Sequence, residues 1–122
     1  MPVKQNQITL FLGVLYHLED QIDALKKIRE TATQLVVLET LVDALDAYGP
    51  TIKYYPGSTL NNDQSNQFGP NLDALVGLIN AAGYSSFEFK GIWEINPVEA
   101  HANKFVTLSP IKSARVVFWL YP

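Results

Sequence analysis

Three short runs in this chain place reactive side chains at the ends of apolar stretches. Tyr16 and His17 follow Ile8 to Leu15, Glu39 and Thr40 follow Leu35 to Leu38, and Arg115 leads into Val116 to Leu120. An imidazole that titrates near neutral pH can act as a general base, which makes His17 a candidate catalytic group. The bland alternative is that His17 caps the next helix or bonds to a backbone carbonyl. Glu39 can accept a hydrogen bond from a substrate, or fix a neighbouring loop. Arg115 can clamp a carboxylate through a bidentate pair, or simply be a solvated strand end. Asn61, Asn62, Asp63 and Asn66 are turn formers first, although their amides could read a polar substrate.

Other chemistries lack their residues. His101 has Glu99 two positions before it, but no spacing such as HExxH accompanies it, so no metal site is expected. There is no Ser-His-Asp order, Walker loop or GxGxxG, and Gly57 and Gly69 are isolated glycines beside prolines. The absence of cysteine excludes disulfides and thiolate ligands, which fits a reducing compartment. The net charge of -3 and the 17% charged content do not describe a nucleic-acid footprint. Residues 1 to 18 do not read as a secretory signal, and no apolar stretch approaches the roughly 20 residues that span a bilayer. A cytoplasmic protein without a membrane partner is expected.

The elements that must position these residues follow from periodicity. With 48% hydrophobic residues, a chain of 122 can bury the core of one domain. The continuous apolar run Ile8 to Leu15 fits a strand covered on both faces, as in a parallel sheet. Tyr16 and His17 then lie beyond its carboxyl end, where open α/β sheets bind ligands. Asp20 predicts an N-cap, and Ile22, Leu25 and Ile28 share one face of a helix over about Gln21 to Ala32. Leu35 to Leu38 is a second buried strand, completing a βαβ unit with a right-handed crossover. Residues 43 to 70 carry turn chemistry and the aromatics Tyr48, Tyr54, Tyr55 and Phe68, which suits a long functional loop. Asn71 caps a second helix whose stripe is Leu72, Leu75, Val76 and Ile79, and Gly83 ends it. Ser86 to Phe89 and Val116 to Leu120 are strands, with residues 91 to 113 mostly loop between them. The pattern is α/β, with about four strands, two main helices and the last two strands as an antiparallel pair.

Gly13-Val14-Leu15-Tyr16-His17-Leu18-Glu19-Asp20, Ala24-Leu25 and Leu35-Val36-Val37-Leu38-Glu39-Thr40 resemble a block of class I S-adenosylmethionine-dependent methyltransferases. The subgroup is similar to the tRNA wobble-uridine methyltransferase that uses carboxy-S-adenosylmethionine. Tyr55-Pro56-Gly57, Asn61-Asn62-Asp63 and Phe68-Gly69-Pro70-Asn71 resemble a later loop of related bacterial methyltransferases. Ala81-Ala82-Gly83-Tyr84 and Arg115-Val116-Val117-Phe118 resemble the segments that follow. Gln67 stands where tryptophan is usual, and proline is usual near Gln21.

The resemblance implies cofactor contacts from Leu12, Tyr16 and Arg115, and a substrate side of Phe68, Pro70 and Asn71; Glu39, by its strand-end position near Tyr16, is expected to bind substrate as well. It also implies the second half of a seven-stranded Rossmann-like fold, strands four to seven, without the glycine-rich cofactor loop that precedes them in the family. Two functions are therefore expected. One is an S-adenosylmethionine-dependent methyltransferase or fragment that is inactive as an isolated chain. The other is a non-catalytic dimeric module that kept the fold and lost cofactor binding. An apolar strand left at a sheet edge invites pairing, so a homodimer through Ile8 to Leu15 is expected.

Overall fold

Local chemistry starts and stops the helices. In a computed structural model, which describes residues 5–57, 66–97 and 110–122, the Asp20 carboxylate accepts the Asp23 amide and opens helix α1, Gln21–Arg29. Asn71 accepts the Ala74 amide and opens helix α2, Leu72–Ala81. Gly83, at φ +89°, turns the chain out of α2, a left-handed conformation that glycine adopts without a Cβ penalty. Both caps and the terminating glycine are the ones expected.

Among the described residues six strands complete the fold: β1 Asn6–Leu12, β2 Ala32–Val42, β3 Ile52–Tyr54, β4 Phe68–Pro70, β5 Ser86–Ile95 and β6 Ala114–Tyr121. The main sheet has the order β1-β2-β6-β5. β1 and β2 are parallel, whereas β6 is antiparallel to both β2 and β5. The last two strands do form an antiparallel pair, with β6 inserted beside β2. β3 and β4 pair separately, so the segment expected as loop contains a small two-stranded sheet.

Several boundaries differ from expectation. The first strand ends at Leu12 because Gly13, at φ +68°, turns away. Leu15 therefore leaves the sheet and is fully buried in a 3-10 turn, Leu15–His17. α1 stops at Arg29 because Ala32 already pairs with Asn6 in the sheet. β5 runs on to Ile95, through the stretch expected as loop, because two register shifts keep it paired with β6 past Gly91. Asn61, Asn62, Asp63, Glu99 and His101 lie outside the described residues.

Both helices pack on the same side of the sheet. Leu25, Leu75 and Ile79 meet Val36, Leu38, Val116, Phe118 and Leu120 there in one buried cluster. The expected coverage of β1 on both faces is therefore not found among the described residues. Phe11 is buried toward the helices, but Ile8, Leu10 and Leu12 on the alternate face are 52%, 65% and 49% exposed. No helix among the described residues is long and apolar enough to cross a membrane.

Candidate functional site

The ends of β1, β2 and β6 bring three expected residues together on the sheet face opposite the helices. Arg115 on β6 pairs with Leu41, and Val117 pairs with Glu39, so Arg115 and Glu39 are diagonal neighbours on one face. The Arg115 Nε donates to Glu39 Oε1 at 2.9 Å. Its Nη2 donates to the Tyr16 hydroxyl at 3.0 Å. Gly13 turns the chain beside this cluster: its amide donates to the Glu39 carbonyl, and its φ of +68° is a conformation that glycine adopts without a Cβ penalty.

Trp93 is the fourth member, and the sequence did not single it out. Its indole Nε1 donates to Glu39 Oε1 at 3.2 Å. The Arg115 guanidinium lies 5.6 Å from the Tyr16 ring and 5.5 Å from the Trp93 ring, within cation–π range of both. Trp93 sits at a register shift in β5, in a stretch without strand periodicity. Its only sequence signal was a large aromatic in what looked like loop.

Electrostatics hold Arg115 charged. Burial opposes the Arg115 charge, but the Glu39 hydrogen bond and the Tyr16 and Glu39 oxygens outweigh it and raise the arginine pKa. Among the described residues, Arg115 Nη1 has no hydrogen-bond partner, so its two N–H groups remain for an added acceptor. Leu12 lies exposed on the same face of β1. His17 is half-buried in the 3-10 turn, with its ring 4.3 Å from that of Tyr16.

The expected substrate side divides. Phe68 lines an open cleft of about 520 Å³ with Glu19, Asp20, Gln21, Ile22, Ile52 and Leu78. Gln21 joins this cleft to the turn, since its Nε2 donates to the carbonyls of Leu15 and Phe68 at 3.0 and 3.2 Å. The Gln67 amide donates to the Tyr16 carbonyl, a second link between the cleft and the cluster. Pro70 is buried in β4 and its carbonyl accepts the Asp43 amide. The Asn71 side chain is engaged within the fold: its Oδ1 accepts from Thr51 and Ala74, and its Nδ2 donates to the Gly49 carbonyl. Glu39, expected near Tyr16 and as a substrate contact, shares the Arg115 guanidinium with Tyr16. Among the described residues, no group of three or more His, Cys, Asp or Glu is placed to hold a metal ion.

A sheet with antiparallel β6 inserted beside β2, and polar groups at the carboxyl ends of parallel β1 and β2, is a partial Rossmann-like fold. No protein-family profile and no curated protein matches the chain. Among solved structures, it is similar to the N-terminal domain of EvdMO1 crystallised in the presence of SAH and D-fucose. That likeness has a TM-score of 0.61 at 14% identity, and covers 97% of this chain and 48% of that one. The same domain with SAH bound gives a TM-score of 0.61 at 14% identity, over 97% and 47% of the two chains. A larger EvdMO1 structure gives 0.57 at 13% identity, over 96% and 21%. The chain thus spans about half the length of the SAH-binding domain that it resembles.

Proposed function

We propose that this chain is the second half of an S-adenosylmethionine-dependent methyltransferase domain and is inactive when isolated. The observation that carries this reading is the Tyr16–Glu39–Arg115 cluster, set at the carboxyl ends of the parallel strands in a fold shared with an SAH-binding domain. The residues fit one end of the donor. Tyr16 and Arg115 Nη1 would hold its carboxylate, with Leu12 beside them, and Glu39 and Trp93 would keep the guanidinium oriented. When bound, the donor would supply an electrophilic methyl group, and the protein's contribution would be chiefly to orient and exclude water.

The wobble-uridine subgroup resemblance adds a second expectation. A donor with an additional carboxylate would gain most from Arg115, the one cation in the cluster. His17 would take the acceptor's proton. Its position in the turn, with its ring 4.3 Å from that of Tyr16, supports that role. The cleft and the exposed Trp93 ring also suit a small acceptor, and the D-fucose reported with the EvdMO1 domain makes a sugar hydroxyl one class to test.

Calorimetry with S-adenosylmethionine and its carboxy derivative tests the reading. The isolated chain should give no saturable heat with either up to millimolar ligand, and a completed domain should bind with loss on Arg115→Ala. Micromolar binding by the isolated chain would overturn the proposed inactivity. A completed domain that binds neither ligand would favour a non-catalytic interaction module. That second reading has its own support, because Glu39 and Tyr16 already occupy two of the Arg115 donors.

A further inference from the structure

The cleft beside Phe68 presents one kind of polar group. Its apolar walls are Ile22 from α1, Ile52 from β3, Phe68 from β4 and Leu78 from α2, and its polar lining is Glu19, Asp20 and Gln21. The two acids offer carboxylate oxygens, which accept hydrogen bonds and donate none. Gln21 is 6% exposed, and its Nε2 donates to the carbonyls of Leu15 and Phe68. Two carbonyl partners fix which end of the amide is the nitrogen, because an oxygen there would face two acceptors. Its Oε1 is therefore the free end, buried without a hydrogen-bond partner. An orphaned acceptor carries a desolvation cost that a donor relieves. No lysine, arginine or histidine is among the described residues that line the cleft.

We propose that this cleft binds an organic ammonium ion. An apolar ring or chain lies on Ile22, Ile52, Phe68 and Leu78, and the protonated amine donates to Glu19, Asp20 and Gln21 Oε1. The N-terminus of α1 pulls the other way, since its amides carry roughly half a positive charge. That end is partly capped, because Asp20 Oδ1 accepts the Asp23 amide and the Asp20 carbonyl accepts the Ala24 amide. The carboxylates of Glu19 and Asp20 outweigh roughly half a charge, so the cleft is left negative. A ligand anion would meet both acids with no cation to answer it. A neutral hydroxyl could donate to the same oxygens, but it would gain no Coulombic attraction from them.

At about 520 Å³ the cleft falls within the range of small-molecule sites, about 300–1,000 Å³. Gln21 also ties it to the polar cluster, since it bonds Leu15, which opens the turn that carries Tyr16. The inference narrows the acceptor from a polar small molecule to an amine. The amine's role as methyl acceptor rests on the methyltransferase reading, whereas its binding does not.

A matched set of indoles tests it by NMR titration of the nitrogen-labelled chain. Tryptamine, tryptophol and indole-3-propionate share a ring and differ in an ammonium, hydroxyl or carboxylate head. Tryptamine should shift the backbone amides of Ile22 and Leu78 and the side-chain amide of Gln21. It should bind at least about tenfold more tightly than tryptophol, with indole-3-propionate weaker still. Glu19→Gln combined with Asp20→Asn should bring tryptamine down to the level of tryptophol, and the asparagine keeps a cap on α1. The comparison of heads on the unaltered chain needs no variant. Equal affinity for the three indoles, strongest binding by the propionate, shifts confined to residues outside the cleft, or no binding of tryptamine at millimolar concentration would each overturn the proposal. The two readings fail separately. A completed domain that binds tryptamine but no donor would sink methyl transfer and leave this site standing, and one that binds donor but no amine would do the reverse.

Discussion

The two faces of the main sheet are built from the same strands and have opposite surroundings. On one, Val36, Leu38, Val116, Phe118 and Leu120 pack against Leu25, Leu75 and Ile79 with almost no exposure. On the other, Ile8, Leu10 and Leu12 face outward beside the polar cluster of Tyr16, Glu39, Trp93 and Arg115. The difference separates the residues that hold this chain together from the residues available for recognition. The first face draws its stability from area removed from water. The second presents apolar area and fixed charge to whatever covers it.

The largest test of that contrast is substitution across the sheet. Phe118→Ala, on the helix side, should cost about 3–5 kcal/mol in urea unfolding, because a ring that contacts Phe87 and Phe89 leaves a cavity. Leu10→Ala, on the open face, should change stability by less than about 0.5 kcal/mol. Equal losses would show that the open face is already covered.

The next effect lies beside the sheet, at the buried Tyr55, whose hydroxyl donates to Asp43 Oδ2 at 2.5 Å. Tyr55→Phe removes a hydrogen bond to a carboxylate that is only 2% exposed, and should cost about 2 kcal/mol. Gly69→Ala should be at least as harmful, because a Cβ there would collide with the same hydroxyl. Thermal unfolding of both variants measures this, and a neutral Gly69→Ala would contradict the packing of β4 on Tyr55.

Glu39→Gln should cost less, about 1 kcal/mol, since the Arg115–Glu39 pair is partly solvated. Its sharper readout is Trp93 fluorescence, which should shift as the carboxylate that accepts both the indole and the guanidinium is lost. No spectral change would separate Trp93 from the cluster.

An effect of similar size belongs to the covered side and depends on pH. Burial pushes the Tyr84 phenol up to about 12 from 10.0, with Arg29 opposing, while its hydroxyl donates to the Leu25 carbonyl. A raised folded-state pKa contributes stability that is complete below the unfolded value. Stability should therefore fall as pH rises from 10.0 toward about 12. Tyr84→Phe should lose about 1 kcal/mol at neutral pH and remove this phenol's share of the alkaline slope. An unchanged alkaline slope would place the Tyr84 hydroxyl in solvent.

Much of the fold was legible in the sequence because its signals are local. The Asp20 and Asn71 caps, the helical stripes and the glycine at position 83 each act within a turn of chain. Strand lengths were less legible. β5 continues past Gly91 because β6 supplies its hydrogen bonds, and no local pattern records a partner some 25 residues away. The site was legible in part for the same reason. Tyr16, Glu39 and Arg115 announced themselves as reactive types at strand ends. Trp93 joins them only through a register shift, and Asn71, which resembled a substrate contact, has its side chain engaged in capping and in bonds to Thr51 and Gly49.

By itself the sequence determined the class of fold, the helix boundaries at their N-termini and three of the four residues in the polar cluster. Each depends on periodicity, capping or residue type, which short-range sterics and hydrogen bonding decide. Only the tertiary structure decided which face of β1 is buried. Ile8 to Leu15 is apolar on both sides, so its composition suits cover on either. The helices that bury one face come from elsewhere in the chain, and among the described residues both pack on the same side.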